Sequence, residues 1–356
     1  MIHIALPDSS QKSLVFYLAM EEYLAKHISD FPLGEYGVRE VFFIWQVPPT
    51  VIFGRNQVME AEVNIAYCKE NGVQMYRRKS GGGCVYADMG NIMLSYISDS
   101  TDVAFTFDKF LQRLALILRK IGLKAERSGR NDILVEGRKV SGNAFFLLPK
   151  ASIVHGTLLF DSDFDALQKA ITPSEAKILS KGVDSVRKHV VNVKEVVESS
   201  AFDNMKKMAD IEVFKKYLIS SFVSGSENGC EAFNEIILQE AQIKAIEEIE
   251  ASYLDPIFLY GKNHSYSIEN KANIEGVGEI RLAFEMLAGK IEVCRVYGDF
   301  FPLKSGLYER LSAILKGLPY EEEALRAALK DFPIEEYIMN LSNEAFMESL
   351  FKNSPK

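Results

Sequence analysis

The chain has 356 residues, more than one compact core usually absorbs, so two domains are expected. Apolar residues at 47% and charged residues at 25% are ordinary values for a chain able to bury a sizeable core. A formal net charge of −8 argues against non-specific nucleic-acid binding as the main task, while leaving room for a local basic pocket that holds a nucleotide.

In chain order, the first predicted element is a helix from Ser13 to about Lys26, ending before "SDFPLG". "VFFIWQVPPTVIFGRNQ" reads as strand, Pro-Pro turn, strand, and "GVQMYRR" as a strand delivering Arg77 and Arg78 into the loop "RRKSGGG". "CVYADMGNIMLSYI" resumes as one or two strands. Apolar residues from Phe107 to Ile121 recur at helical spacing, with Gly122 at the C-terminal cap. "NDILVEGRKVSGNAFFLL" is a hairpin turning at Glu136-Gly137, which places Lys139 just inside the return strand. "IVHGTLLF" is another strand, and helices are expected near 204–222 and 232–250. Composition changes near "LDPIFLYGKNHS"; a hairpin turning at Gly289 and short helices from Leu307 follow. Domains are therefore expected over 1–250 and 258–356, with the hinge near Asp255-Pro256.

The four cysteines, Cys68, Cys84, Cys230 and Cys294, form no CxxC pair, which fits a reducing compartment. The N-terminus lacks the features of a signal peptide, and no apolar run reaches transmembrane length, so a soluble cytoplasmic protein is expected. There is no Walker loop, and "GVGEIR" has Arg281 where a dinucleotide fingerprint needs its third glycine, so a turn is expected there.

Two segments can carry chemistry. Gly81, Gly82 and Gly83 allow backbone to approach a ligand and aim N–H groups at an anion, and Arg77 and Arg78 add fixed charge. A flexible turn with two solvated arginines has the same look. In "SGRNDILVEGRKVSG", Asn131, Asp132 and Lys139 bring a carboxylate and an ammonium together, as a magnesium-nucleotide site needs, although a surface hairpin also carries such charges.

"RRKSGGGCVYADMGN", "SGRNDILVEGRKVSGNAF", "HGTLLF" and "KGVDSVRKHVVNV", with "VIFGRNQ" upstream and Glu21-Glu22 on the first helix, resemble the lipoate-protein ligase A family in content and order. The resemblance spans 13–195 strongly, and 260–356 more loosely resembles the family's small accessory domain. It implies the biotin/lipoate ligase-like fold, α+β with mixed, mainly antiparallel β-sheets packed with helices and a second, smaller α+β domain. It implies ATP-dependent activation of lipoate to lipoyl-AMP with release of pyrophosphate, then transfer to a lysine of a lipoyl-acceptor domain, either glycine cleavage H protein or a 2-oxoacid dehydrogenase E2 domain. A monomer without nucleic-acid or membrane partners is expected.

Carried over by motif, Arg78, Gly83, Cys84, Val85, Tyr86, Asn131, Asp132 and Lys139 would contact the nucleotide. Lys139 would be catalytic, and Asp132 would hold Mg2+. Lys139, Gly82, Gly83, His155 and Leu18 would meet lipoate. For Leu18, Val85 and Ala144, core packing explains the residue better than pocket lining does, and His155 suits a structural role equally. The chain departs from the family pattern at Ala87, where a histidine is usual, and at Cys84, where a small residue is usual. Related acyltransferases use a cysteine thioester without ATP, but they place it after the lysine segment, and "VSGNAFFLLPKASIVHG", which follows Lys139 here, contains no cysteine. Biotin ligation calls for a "GRGRxG" loop that is absent here. A lipoate- or acceptor-binding protein with weakened turnover draws support from Ala87 alone.

Overall fold

A computed structural model describes residues 1–8, 10–33, 39–129, 131–171, 189–223, 234–260, 268–287 and 289–351. Cys230 and residues 181–188 of "KGVDSVRKHVVNV" lie outside the described residues.

Ser13 caps the first helix, α1 (Leu14–Lys26), its side chain accepting from the Phe16 N–H. The helix is buried along nearly its whole length, so it is a core element rather than an amphipathic surface helix. It lies on an eight-stranded sheet built from β1 (Ile2–Ala5), β2 (Glu40–Trp45), β6 (Asn91–Ser98), β7 (Ala125–Ser128), β8 (Asp132–Val135), β9 (Arg138–Leu148), β10 (Ala151–Leu159) and β11 (Glu235–Ile237). Their spatial order is β11-β1-β2-β6-β10-β9-β8-β7. Only the β11-β1-β2 end is parallel.

Period-two alternation divides the apolar residues of this sheet between two cores. Phe42, Ile92, Leu94, Val154 and Leu158 pack under α4 (Val103–Lys120) and the helix Ile211–Val223. Val41, Phe43, Met93, Ile97 and Ile153 face α1. The helix Glu240–Leu254 packs beside α1, with Tyr253 donating to the Leu18 carbonyl.

β3 (Thr50–Phe53), β4 (Gln74–Arg77) and β5 (Val85–Ala87) form a separate three-stranded sheet, order β4-β3-β5. The segments on either side of Pro48-Pro49 are thus both strands, but they enter different sheets and do not pair as a hairpin. The short helices α2 (Met59–Glu62) and α3 (Ile65–Glu70) cover this small sheet, and α5 (Phe164–Ala170) packs on α3. Cys68 is buried in α3, as helix packing predicts.

The helix expected over 204–222 is broken into Asp203–Lys206 and Ile211–Val223. The one expected over 232–250 runs Glu240–Leu254, behind β11. The C-terminal part has its own core around an antiparallel sheet of β12 (Ile268–Ile274), β13 (Gly278–Leu287) and β14 (Lys290–Gly298), with helices Leu307–Leu315, Glu322–Leu329 and Asn343–Ser349. "GVGEIR" is the β12–β13 turn and the start of β13, with Gly276 and Gly278 both at positive φ. The Asp255-Pro256 region forms a helix, Pro256–Tyr260, whose Phe258 and Leu259 carbonyls accept from the Arg77 guanidinium, so it is docked on the large domain. No described helix is long and apolar enough to cross a membrane.

Candidate functional site

A cavity of about 520 Å3 opens where the α1 face of the large sheet meets the glycine loop and the turn of the small domain. Its floor follows from strand register. Trp45 pairs with Met93, Met93 with Thr157, and Thr157 with Gly142, giving one row across four strands. Phe43, Ser95, His155 and Ala144 form the next row. Leu18 of α1 and Ile52 of β3 close the apolar end with Trp45 and Met93. Trp45 is fixed by stacking on Tyr17 at 4.7 Å between ring centroids.

The polar end comes from the β8–β9 hairpin. Glu136 and Gly137 both have positive φ, as a tight two-residue turn requires. Ordinary alternation would place Lys139 on the face opposite Gly142. A bulge intervenes: Ile133 pairs with Ser141 but Leu134 pairs with Lys139, so Val140 is an extra residue that buries in the core. Lys139 is thereby turned onto the Gly142 face, and a Cβ at Gly142 would lie 2.8 Å from the Lys139 Nζ. Lys139 Nζ sits 2.8 Å from Asp132 Oδ1, with both side chains about one-third exposed in the cavity. Asn131 spends its amide N–H on the Asn143 carbonyl, and the Asn143 amide returns to the Asn131 carbonyl, which locks the start of β8 to β9.

The glycine loop does two jobs. Gly81 and Gly82 are needed for close approach of the small domain, since a Cβ at Gly81 would lie 2.3 Å from the Phe300 carbonyl and one at Gly82 would lie 2.9 Å from the Phe301 ring. The Gly82 N–H donates to Phe300 O at 3.3 Å. Gly83 faces the cavity, with Asp299 Oδ2 3.7 Å from where its Cβ would be.

Arg77 and Arg78 are both buried rather than solvated. Arg77 donates to the carbonyls of Gly54, Arg55 and Gln57 as well as to Phe258 and Leu259. Arg78 lines the cavity and holds the loop from within, bonding the carbonyls of Ile52, Gly81 and Gly83 and the Ser80 hydroxyl. Burial draws its pKa down to about 10, partly offset by Cys84 and Asp299. A guanidinium so desolvated leaves positive potential at the cavity wall, where an anion is favoured.

Of the residues singled out from the sequence, Leu18, Arg78, Gly82, Gly83, Cys84, Val85, Asn131, Asp132, Lys139 and His155 all line this cavity. Tyr86 does not. Its ring packs with Val51, Phe53 and Cys68, and burial pushes its hydroxyl pKa up. Ala87 is buried against the α1 core. Sequence reasoning missed Trp45, Met93, Asn143, Thr157 and Asp299. The alternation in β2 marks Trp45 as facing one side, but nothing local in the small domain signals that Asp299 reaches the cavity. Among the described residues, no group of three or more His, Cys, Asp or Glu side chains could hold a metal ion unaided.

Residues 14–223 match the profile described as lipoyl protein ligase A/B catalytic domain, and 263–350 match that of the bacterial lipoate protein ligase C-terminus. The chain is 35% identical over 336 residues to lipoate-protein ligase LplJ of Bacillus subtilis, covering 94% of this chain and 96% of that one. It is 33% identical to lipoate–protein ligase 1 of Staphylococcus aureus, covering 90% and 91%. Among solved structures, LipL1 of Plasmodium falciparum in complex with lipoate superposes with a TM-score of 0.69 at 20% identity, over 99% of this chain and 98% of that one. A lipoate-protein ligase A bound with ATP gives 0.54 at 25% identity, over 73% and 98%. The bipartite ligase of Thermoplasma acidophilum, described with its E2 lipoyl domain, gives 0.56 at 25% identity, over 75% and 98%.

Proposed function

Because the chain belongs to the lipoate-protein ligase family, we propose that its cavity joins lipoate to ATP, forming lipoyl-AMP and pyrophosphate, and then passes the lipoyl group to a lysine of an acceptor protein. The observation that carries this reading is one cavity with two unlike ends. Leu18, Trp45, Ile52 and Met93 suit an apolar chain ending in a dithiolane ring, and Lys139, Arg78 and the Gly83 backbone suit anions.

Attack of a carboxylate on the α-phosphorus brings two anions together. Lys139, between the ends, neutralises that repulsion and stabilises charge as it builds on the phosphoryl oxygens. In the resting pocket the ammonium rests on Asp132, which holds it over Gly142. Arg78 acts through the loop: its bonds to Gly81 and Gly83 fix the backbone that meets the nucleotide, with Cys84 and Val85 next along the cavity wall. Asp132 is the carboxylate that would hold Mg2+ here, and the ion, brought in with ATP, would improve pyrophosphate as a leaving group. The acceptor is read as a lipoyl domain, by analogy with the E2 domain described with the Thermoplasma ligase.

Lipoate-dependent exchange of labelled pyrophosphate into ATP tests the reading. Loss of the Lys139 donor in Lys139→Ala is expected to cost ~3 kcal/mol, about a hundredfold in rate. Cys84→Ala, which keeps the main chain, is expected to lose far less. Acyl transfer from a donor protein without ATP, abolished by Cys84→Ala, would show thioester chemistry instead.

A further inference from the structure

A buried hydrogen-bonded chain runs from the apolar end of the cavity to the glycine loop. Trp45 Nε1–H donates to Ser95 Oγ at 2.9 Å, and Ser95 donates to Glu21 Oε1. Glu21 Oε2 lies 2.8 Å from His155 Nδ1, and His155 Nε2 lies 2.7 Å from Ser80 Oγ. Arg78 Nε–H donates to Ser80 Oγ at 3.0 Å. Ser95 and His155 are directly opposite each other on β6 and β10, so a single carboxylate from α1 bridges them. Donor and acceptor roles are consistent along the whole chain. A carboxylate accepts, so His155 donates from Nδ1; with the ring neutral, its Nε2 accepts from Ser80, whose lone pair is left for Arg78.

Glu21, His155 and Ser80 stand in the order of a nucleophilic triad, but this one is a strut. Ser80 is 1% exposed, and its oxygen is already held by a guanidinium, so no substrate carbonyl reaches it.

We propose that Glu21 and Ser80 are positioning residues for the nucleotide, a role that rests on the adenylating reading above. Glu21 fixes the His155 tautomer, which orients the Ser80 hydroxyl. Ser80 sets the Arg78 guanidinium, and Arg78 holds the Gly81 and Gly83 carbonyls so that the loop presents its other edge to the cavity. Removing a link loosens the loop. The lipoate end is affected less, because Trp45 keeps its stack on Tyr17.

The test is pyrophosphate exchange by the full chain with ATP and lipoate varied separately, beside thermal unfolding. The variants are Glu21→Ala, Glu21→Gln, Ser80→Ala and the double change to alanine. Glu21→Ala and Ser80→Ala are each expected to raise KM for ATP about tenfold, the scale of one buried hydrogen bond, with a much smaller change in KM for lipoate. The double variant is expected to be no worse than either single one, since the two residues serve one chain. Glu21→Gln is expected to recover most of the loss, because its amide oxygen still accepts from Nδ1. Equal rises for both substrates, an additive double variant, or a glutamine variant as poor as the alanine one would overturn the proposal. Should Glu21→Ala fail to fold, Ser80→Ala carries the comparison of ATP with lipoate. Absence of exchange in the unaltered chain contradicts the ligase reading and this inference with it. Exchange that is indifferent to these variants contradicts this inference alone.

Discussion

Lys139 reaches the cavity because β9 carries one residue more than its partner strand, and it stays there because Gly142 leaves room beneath its amine. Gly142→Ala would place a methyl 2.8 Å from the end of a flexible side chain, so the fold tolerates it while the amine is displaced. Near-normal thermal stability with at least a tenfold loss of pyrophosphate exchange is expected, on the scale of a misplaced catalytic group. Glu22, on the same helix as Glu21, gives a pH prediction. Burial would raise its carboxyl pKa, but hydrogen bonds from Lys26 and Lys79 outweigh that and hold it below the usual 4.5. A depressed folded value means its stabilisation is complete above pH 4.5 and is lost as pH falls through the folded pKa. Thermal melts of Glu22→Gln between neutral and acid pH are therefore expected to show lower stability at pH 7 and a shallower acid decline than the unaltered chain. Lys139 and Asp132 were legible in the sequence because a tight hairpin brings them together locally. The Glu21–His155 pair was not, since it depends on a helix packing over a strand 134 residues away.

At the scale of elements, most strands and helices follow from period and punctuation. The alternation in β6 and β10, the caps at Ser13 and Gly122, and the Glu136-Gly137 turn are local signals, and each appears where expected. Both strands around the Pro-Pro turn are present, but local pattern identifies strands and not their partners: β2 joins β1 and β6, whereas β3 joins β4 and β5. Period also missed the wedge formed after β14, where Phe301 leaves the small domain and packs against Phe145 and Phe107 of the large domain's core, at 5.3 and 6.1 Å. Phe301→Ala is expected to cost about 3–5 kcal/mol, as for other buried aromatic truncations. Denaturant unfolding followed separately for each domain would check it, and an unchanged midpoint for the large domain would contradict that packing.

Over the whole molecule, the small domain is part of the site rather than an appendage. Its Asp299 lines the cavity beside Gly83, the Phe300 carbonyl takes the Gly82 N–H, and Gly298 donates to the Asn56 carbonyl. A carboxylate facing the pocket that must receive a polyphosphate opposes it by charge. Asp299→Asn is therefore expected to lower KM for ATP severalfold while leaving KM for lipoate nearly unchanged. The sequence could not announce this, because the two segments are more than two hundred residues apart and meet only through the packing of separate cores. The central claim, that this cavity makes an acyl-adenylate, is tested most directly without any acceptor. The chain is incubated with lipoate and ATP labelled in its α-phosphate, then quenched in acid. Labelled lipoyl-AMP close to stoichiometric with the protein, and strongly reduced in Lys139→Ala, is the predicted result. A lipoyl group bound to the protein with no label, or no adenylate in the unaltered chain, would contradict the account.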